Sequence, residues 1–177
     1  MIKTVIMGTG RMGSLIRTTA EGIVNTAGEP VFDIVAQIGF DLSELESAPA
    51  ADVIIDFSNA ASTERLLDYC EQHGTPVVIC TTGHSAAQLD RIRAASAKIA
   101  VFRSGNMSLG INLMSELLKQ SAAVLGDKYD VEIIEKHHNQ KLDAPSGTAL
   151  MLADAVASAL PYDCLLYTSP SPRDYAA

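Results

Sequence analysis

TVIMGTGRMG, Thr4 to Gly13, decides the fold. Four β-branched or apolar residues stop at Gly8, the pattern of a short buried strand. Gly8, Gly10 and Gly13 then satisfy G-x-G-x-x-G, and a helix is predicted from about Arg11 to Asn25. Strand before and helix after is the context the motif requires. Gly8 permits a tight turn, Gly10 lets the backbone approach a pyrophosphate, and Gly13 lets helix and sheet pack closely. Free N–H groups at the helix start suit the phosphates. A tight turn with no ligand would need the same glycines, but the surrounding βαβ rhythm favours a dinucleotide site.

That rhythm continues outward. FDIVAQI (Phe32 to Ile38), DVIIDF (Asp52 to Phe57), PVVIC (Pro76 to Cys80) and KIAVF (Lys98 to Phe102) read as further strands. ASTERLLDYCEQHG has helical spacing and ends at Gly74, a plausible helix terminator. Ser85 and Gln88 form a possible capping box for a helix to about Lys98. Strands alternating with helices through short joins predict an α/β fold, a Rossmann-like doubly wound parallel sheet. Ser108 to Gly126 then reads as a longer helix with Leu113, Leu117 and Leu118 on one face. YDVEIIEKH (Tyr129 to His137) reads as a strand and Ala149 to Leu160 as a helix. The expected organisation is a dinucleotide-binding domain over residues 1–107, part of an α+β substrate domain over 108–162, and a tail over 163–177.

The bulk numbers agree with a globular chain. Of 177 residues, 47% are hydrophobic and 19% charged. The formal net charge of −8 argues against nucleic acid or anionic membranes as partners. Three cysteines without C-x-x-C fit a reducing compartment better than a disulfide framework or zinc site. The opening apolar run is too short for a signal peptide or a span, so the expected location is the cytoplasm.

Candidate ligand contacts follow from the rule that open α/β sheets bind beyond the carboxyl ends of their strands. Asp56-Phe57-Ser58 ends one strand and Cys80-Thr81-Thr82-Gly83 another. Thr81 and Thr82 could bond a cofactor amide or ribose, although ordinary turn chemistry explains them too. Asn106, between the fifth strand and the long helix, could contact a nicotinamide or cap that helix. An acid is expected near the end of the second strand for the cofactor ribose. Asp41 is the nearest, and no arginine stands there for a 2′-phosphate, so NAD and NADP are not distinguished.

EIIEKHHNQKLDAPSGTAL, Glu132 to Leu150, concentrates polar chemistry at a strand-to-helix junction. His137 and Lys141 are close enough in sequence to converge in a loop, and a suitably tuned lysine donates a proton. Ser146-Gly147-Thr148 opens a helix whose free N–H groups suit an anion. The grouping reads as a site for a carboxylate-rich molecule, against the alternative of a solvated loop and a capped helix. Adjacent His137 and His138 without a third ligand make zinc a poor fit, and no metal is expected.

This stretch resembles the signature of the dihydrodipicolinate reductase (4-hydroxy-tetrahydrodipicolinate reductase) family, which serves the diaminopimelate route to lysine. GTGRMG, DFS, TTG and GNMSLGIN fall in the family's order, and the resemblance covers roughly Met1 to Leu160. It implies reduction of a cyclic dicarboxylate imine by NADH or NADPH. Gly8, Thr9, Gly10, Arg11, Met12 and Gly13 would hold the cofactor's phosphates. Cys80, Thr81, Thr82, Ser104, Gly105, Asn106 and Met107 would border its nicotinamide end. His137 would donate or accept a proton, Lys141 would donate one, and His138, Lys141, Ser146, Gly147 and Thr148 would bind the substrate's carboxylates. Cys80 stands where many members have glycine, and Ala60 where the family often has proline. Members are longer, and the full-length form is expected to be a homotetramer. CLLYTSPSPRDYAA (Cys164 to Ala177) instead resembles translated adapter or vector sequence, so a disordered, non-native tail is expected. Three readings stay open: the reductase, a nucleotide-binding fragment without catalysis, and another Rossmann enzyme such as an aspartate or homoserine dehydrogenase.

Overall fold

A computed structural model describes residues 1–39, 44–139, 141 and 145–160. It divides into two compact units, Met1–Gly105 and Asn106–Ala177.

In the first unit, β1 (Ile2–Met7), β2 (Phe32–Ile38), β3 (Val53–Asp56), β4 (Val77–Ile79) and β5 (Val101–Arg103) form one sheet in the order β2-β1-β3-β4-β5. Every pairing is parallel. α1 (Arg11–Glu21) joins β1 to β2, α2 (Thr63–His73) joins β3 to β4, and α3 (Ala86–Ala95) joins β4 to β5. The chain steps one way from β1 to β2 and the other way from β3 to β5. Right-handed crossovers therefore put α1 on one face and α2 and α3 on the other. This is the doubly wound arrangement, and its strand order reverses between β1 and β3.

Burial on both faces explains the apolar strands. Val5, Met7, Ile54, Val77 and Ile79 join Leu66, Leu67, Cys70, Ile92 and Ala95 from α2 and α3 in a single core. Leu66 and Leu67 have no exposed surface. The helix ends follow local chemistry. Gly74 takes the left-handed conformation at φ 65° and closes α2. Ser85 and Gln88 form a complete capping box on α3.

Several expectations differ from the structure. α1 stops at Glu21 rather than Asn25. The Asn25 side chain accepts the Ala27 and Glu29 N–H groups, and Val24 pairs with Pro30, so these residues spend their polar groups in a turn. β5 begins at Val101, because Lys98 and Ile99 still donate to Ala95 at the end of α3. The strand read over residues 129–137 does not form. Its partial alternation is real, but a strand also needs a partner for its backbone groups, and the described residues provide none.

The second unit contains α4 (Leu109–Leu125) and α5 (Gly147–Ala157), which pack on each other. α5 begins two residues earlier than the apolar pattern suggests, at the residue after Ser146. No helix among the described residues is long and apolar enough to cross a membrane.

Candidate functional site

The carboxyl ends of β1, β3 and β4 open into a cleft of about 490 Å³. Met12 comes from the first turn of α1, Phe57 to Ala60 from the turn after β3, and Cys80 to Gly83 from the turn after β4. The β1/β3 reversal point is where such sheets bind nucleotides.

The three motif glycines play different parts. Gly8 has φ 110°, and a Cβ there would stand 2.5 Å from the Phe57 carbonyl oxygen. At Gly13 a Cβ would stand 2.0 Å from the Gly8 carbonyl oxygen. Neither position tolerates a side chain. Gly10 has nothing within 4 Å of its would-be Cβ. Its bare backbone, at the N-cap of α1, faces open space at the start of a helix dipole. The loop is further held by Gln37, whose amide donates to the Gly8 carbonyl at 2.9 Å. These residues fit a dinucleotide pyrophosphate: packing locks two glycines and leaves the third clear for a ligand.

Asp56, at the end of β3, lies beneath the cleft with no exposed surface. One carboxylate oxygen accepts the Ser58 N–H at 2.9 Å and the Ser58 hydroxyl. The other accepts the Thr81 hydroxyl at 2.8 Å. One carboxylate thus ties together the two turns that wall the cleft. Burial, and next the Asp56 charge, push the Cys80 thiol up to about 11, so Cys80 is a neutral wall residue at physiological pH. His84, just beyond Gly83, has Nε2 2.9 Å from the Thr63 hydroxyl. Burial, then the Arg103 charge, lower its pKa, which favours a neutral ring.

The second unit builds its polar grouping around Glu135. Its Oε1 accepts the Ser146 N–H at 2.8 Å, directly ahead of α5. Its Oε2 lies 3.4 Å from His137 Nδ1. Hydrogen bonds from Ser146, followed by the charges of His137 and Lys141, hold the Glu135 carboxyl below its ordinary pKa. The Lys141 N–H donates to the His138 carbonyl at 3.3 Å, so the histidine segment turns back on itself. Ser146 caps α5 by accepting the Ala149 N–H at 3.1 Å. The Asn106 amide donates to the Thr148 hydroxyl at 2.9 Å. Two histidines, a lysine and a capped helix start are groups of the kind that an anion site with a proton donor requires.

The family model for the N-terminus of dihydrodipicolinate reductase matches residues 2–107, and the model for its C-terminus matches residues 110–173. This chain belongs to the dihydrodipicolinate reductase family. It is 40% identical to a 4-hydroxy-tetrahydrodipicolinate reductase of Clostridium novyi (strain NT), over 92% of this chain and 67% of that protein. A relative of the same name from Caldanaerobacter subterraneus subsp. tengcongensis is 42% identical, over 91% of this chain and 65% of its own length. Among solved structures, a dipicolinate-bound dihydrodipicolinate reductase from Paenisporosarcina sp. TG-14 superposes with a TM-score of 0.66 at 28% identity, covering 97% of this chain and 71% of that one. The chain spans about two thirds of the length of these curated relatives.

Within this reductase framework the expected site residues fall into two sets. Met12, Cys80, Thr81 and Thr82 line the cleft. Thr81 donates its hydroxyl to Asp56, so that hydroxyl could meet a ligand only as an acceptor. Ser104 and Gly105 belong to the first unit, Asn106 and Met107 to the second. The Asn106 side chain is a local anchor: its Oδ1 accepts the Ser108 N–H, and its Nδ2 donates to the Thr148 hydroxyl. Glu135, Asp56 and Gln37 were not among the expected site residues. Glu135 was visible only as part of the signature, and Asp56 only as a strand end. Asp41 and the tail expected over residues 163–177 lie outside the described residues. Among the described residues no group of three or more His, Cys, Asp or Glu is placed to hold a metal ion.

Proposed function

We propose that this chain binds NADH or NADPH in the cleft of the first unit and carries the proton-donating loop of a 4-hydroxy-tetrahydrodipicolinate reductase. The observation that carries the reading is the glycine loop, in which Gly8 and Gly13 are sterically locked and Gly10 lies open. The backbone from Gly8 to Gly13 would hold the phosphates, and the turns Phe57–Ala60 and Cys80–Gly83 would receive the nicotinamide end. When bound, the cofactor supplies a hydride. This chain's own residues do the rest. His138, Lys141 and the α5 start at Gly147 and Thr148 would hold the carboxylates of a cyclic dicarboxylate. Lys141 would donate the proton that completes the reduction, and His137, oriented by Glu135, would assist it. A cytoplasmic location and a homotetramer of the whole protein are part of the same proposal.

Titration of the purified chain with NADH and NADPH, followed by nicotinamide fluorescence, tests the cofactor site and ranks the two coenzymes. Absence of saturable binding to both would sink the reading. Adding enzymatically generated substrate and following absorbance loss tests turnover. A second reading, cofactor binding without turnover, is favoured by the exposed apolar side chains of α4, where Leu109, Leu113 and Leu117 face solvent. Turnover that disappears in Lys141→Ala supports the reductase, whereas binding with no turnover supports the second reading.

A further inference from the structure

Asp56 has no part in the proposed proton chemistry, yet it is the most completely buried acid at the cleft. All three of its hydrogen-bond partners are donors: the Ser58 N–H, the Ser58 hydroxyl and the Thr81 hydroxyl. Among the described residues no cationic side chain forms an ion pair with it. A buried carboxylate without a counter-charge is expensive to keep. Its donors orient it but bring no net positive charge.

We propose that the Asp56 carboxylate, clamped between the turns after β3 and β4, makes the cleft favour the oxidised, cationic nicotinamide over the neutral reduced form. The inference rests on the cofactor reading above. The two cofactor states differ at the ring by one positive charge, gained when the hydride leaves with its electron pair. A fixed negative charge behind the cleft wall stabilises the charged ring, and so favours hydride donation. Cys80 lines the same cleft, and burial, then the Asp56 charge, raise its thiol. The clamp adds a separate effect. Because Ser58 and Thr81 both hang on Asp56, the spacing of the two cleft walls depends on it. Asp56 is thus a positioning residue with an electrostatic role, and the two roles separate experimentally.

The test compares Kd values of the wild-type chain and Asp56→Asn for the oxidised and reduced forms of the tighter coenzyme. A purely structural role would weaken both forms alike. The electrostatic role predicts that the ratio of oxidised to reduced Kd rises about tenfold in Asp56→Asn. An unchanged ratio in a variant that still binds the reduced form would overturn the inference and leave the cofactor reading standing. Wild-type protein that binds neither form overturns both. If Asp56→Asn does not fold by circular dichroism, Asp56→Glu serves instead. It keeps the charge and should keep the ratio even if both Kd values rise, and a ratio shifted about tenfold would overturn the inference. A ligand-free readout is alkylation of Cys80 against pH, followed by mass spectrometry of its peptide. Onset at lower pH in Asp56→Asn supports the field, and the same onset as wild type refutes it.

Discussion

Leu66 and Leu113 are both leucines on helices with a one-sided apolar pattern, but only one of them is buried. Leu66, on α2, has no exposed surface, whereas Leu113, on α4, keeps 58%. The difference lies in what each helix meets. α2 lies on a sheet whose strands present Val5, Ile54 and Ile79 from three different parts of the chain. α4 meets α5, and of its 17 residues only Ala122 is buried. A helical apolar stripe signals demand for a partner, and it carries no information on whether the partner is present.

The two units also handle carboxylates differently. Asp56 is sealed beneath its cleft and held by short local donors. Glu135 remains partly exposed and links two segments eleven residues apart. The first unit builds from a closed core outward, and the second builds around one polar junction.

Substitutions can break this contrast. The largest effect is expected at the glycine loop. Gly13→Ala drives a Cβ into the Gly8 carbonyl, so cofactor binding should be lost and the melting temperature should fall. Gly10→Ala has free space, so the melting temperature should hold while cofactor affinity drops. A Gly10→Ala chain that binds normally would remove the pyrophosphate from this loop.

Next comes the core comparison. Leu66→Ala should cost about 2–5 kcal/mol in urea unfolding. Leu113→Ala should cost about 0.5 kcal/mol or less, because the side chain is already in water. Equal losses would show that α4 is covered in solution.

Smaller effects belong to the caps. Ser85→Ala removes the capping box of α3 and should cost about 1 kcal/mol, and Ser146→Ala should cost about as much in α5. Ser146→Ala should in addition raise the Glu135 pKa, since Ser146 is the main cause of its depression.

The smallest effect is a pH dependence. The folded Glu135 carboxyl sits below its ordinary value, so the unfolded chain binds its proton more readily. The resulting stability is fully present above about pH 4.5 and is lost as the pH falls through the folded value. Melting curves at descending pH should show this loss in wild type and not in Glu135→Gln. The same acid sensitivity in both would remove Glu135 from the junction.

Much of the first unit was legible because its signals are local. Phe32–Ile38 matches its expected strand residue for residue, and Gly74 and the Ser85–Gln88 box end and begin helices where their chemistry requires. The expected element that does not form, a strand over residues 129–137, depended on a partner rather than on its own residues. At the site, Gly8, Gly10 and Gly13 could be assigned from spacing, since each role reduces to the absence of a Cβ. Asp56 and Glu135 could not, because each acts on residues brought to it by folding. Thr81 lies 25 positions from Asp56 in sequence, and Ser146 eleven from Glu135.

The sequence by itself determined the parallel sheet, the glycine loop and the polar grouping from His137 to Thr148, because strand periodicity, glycine geometry and helix capping act within a few residues. Only the tertiary structure decided which carboxylate clamps the cleft, which threonine hydroxyl is already engaged, and which leucines are buried. Those outcomes depend on what stands opposite each side chain, and pairing across a fold is not encoded in any short stretch of chain.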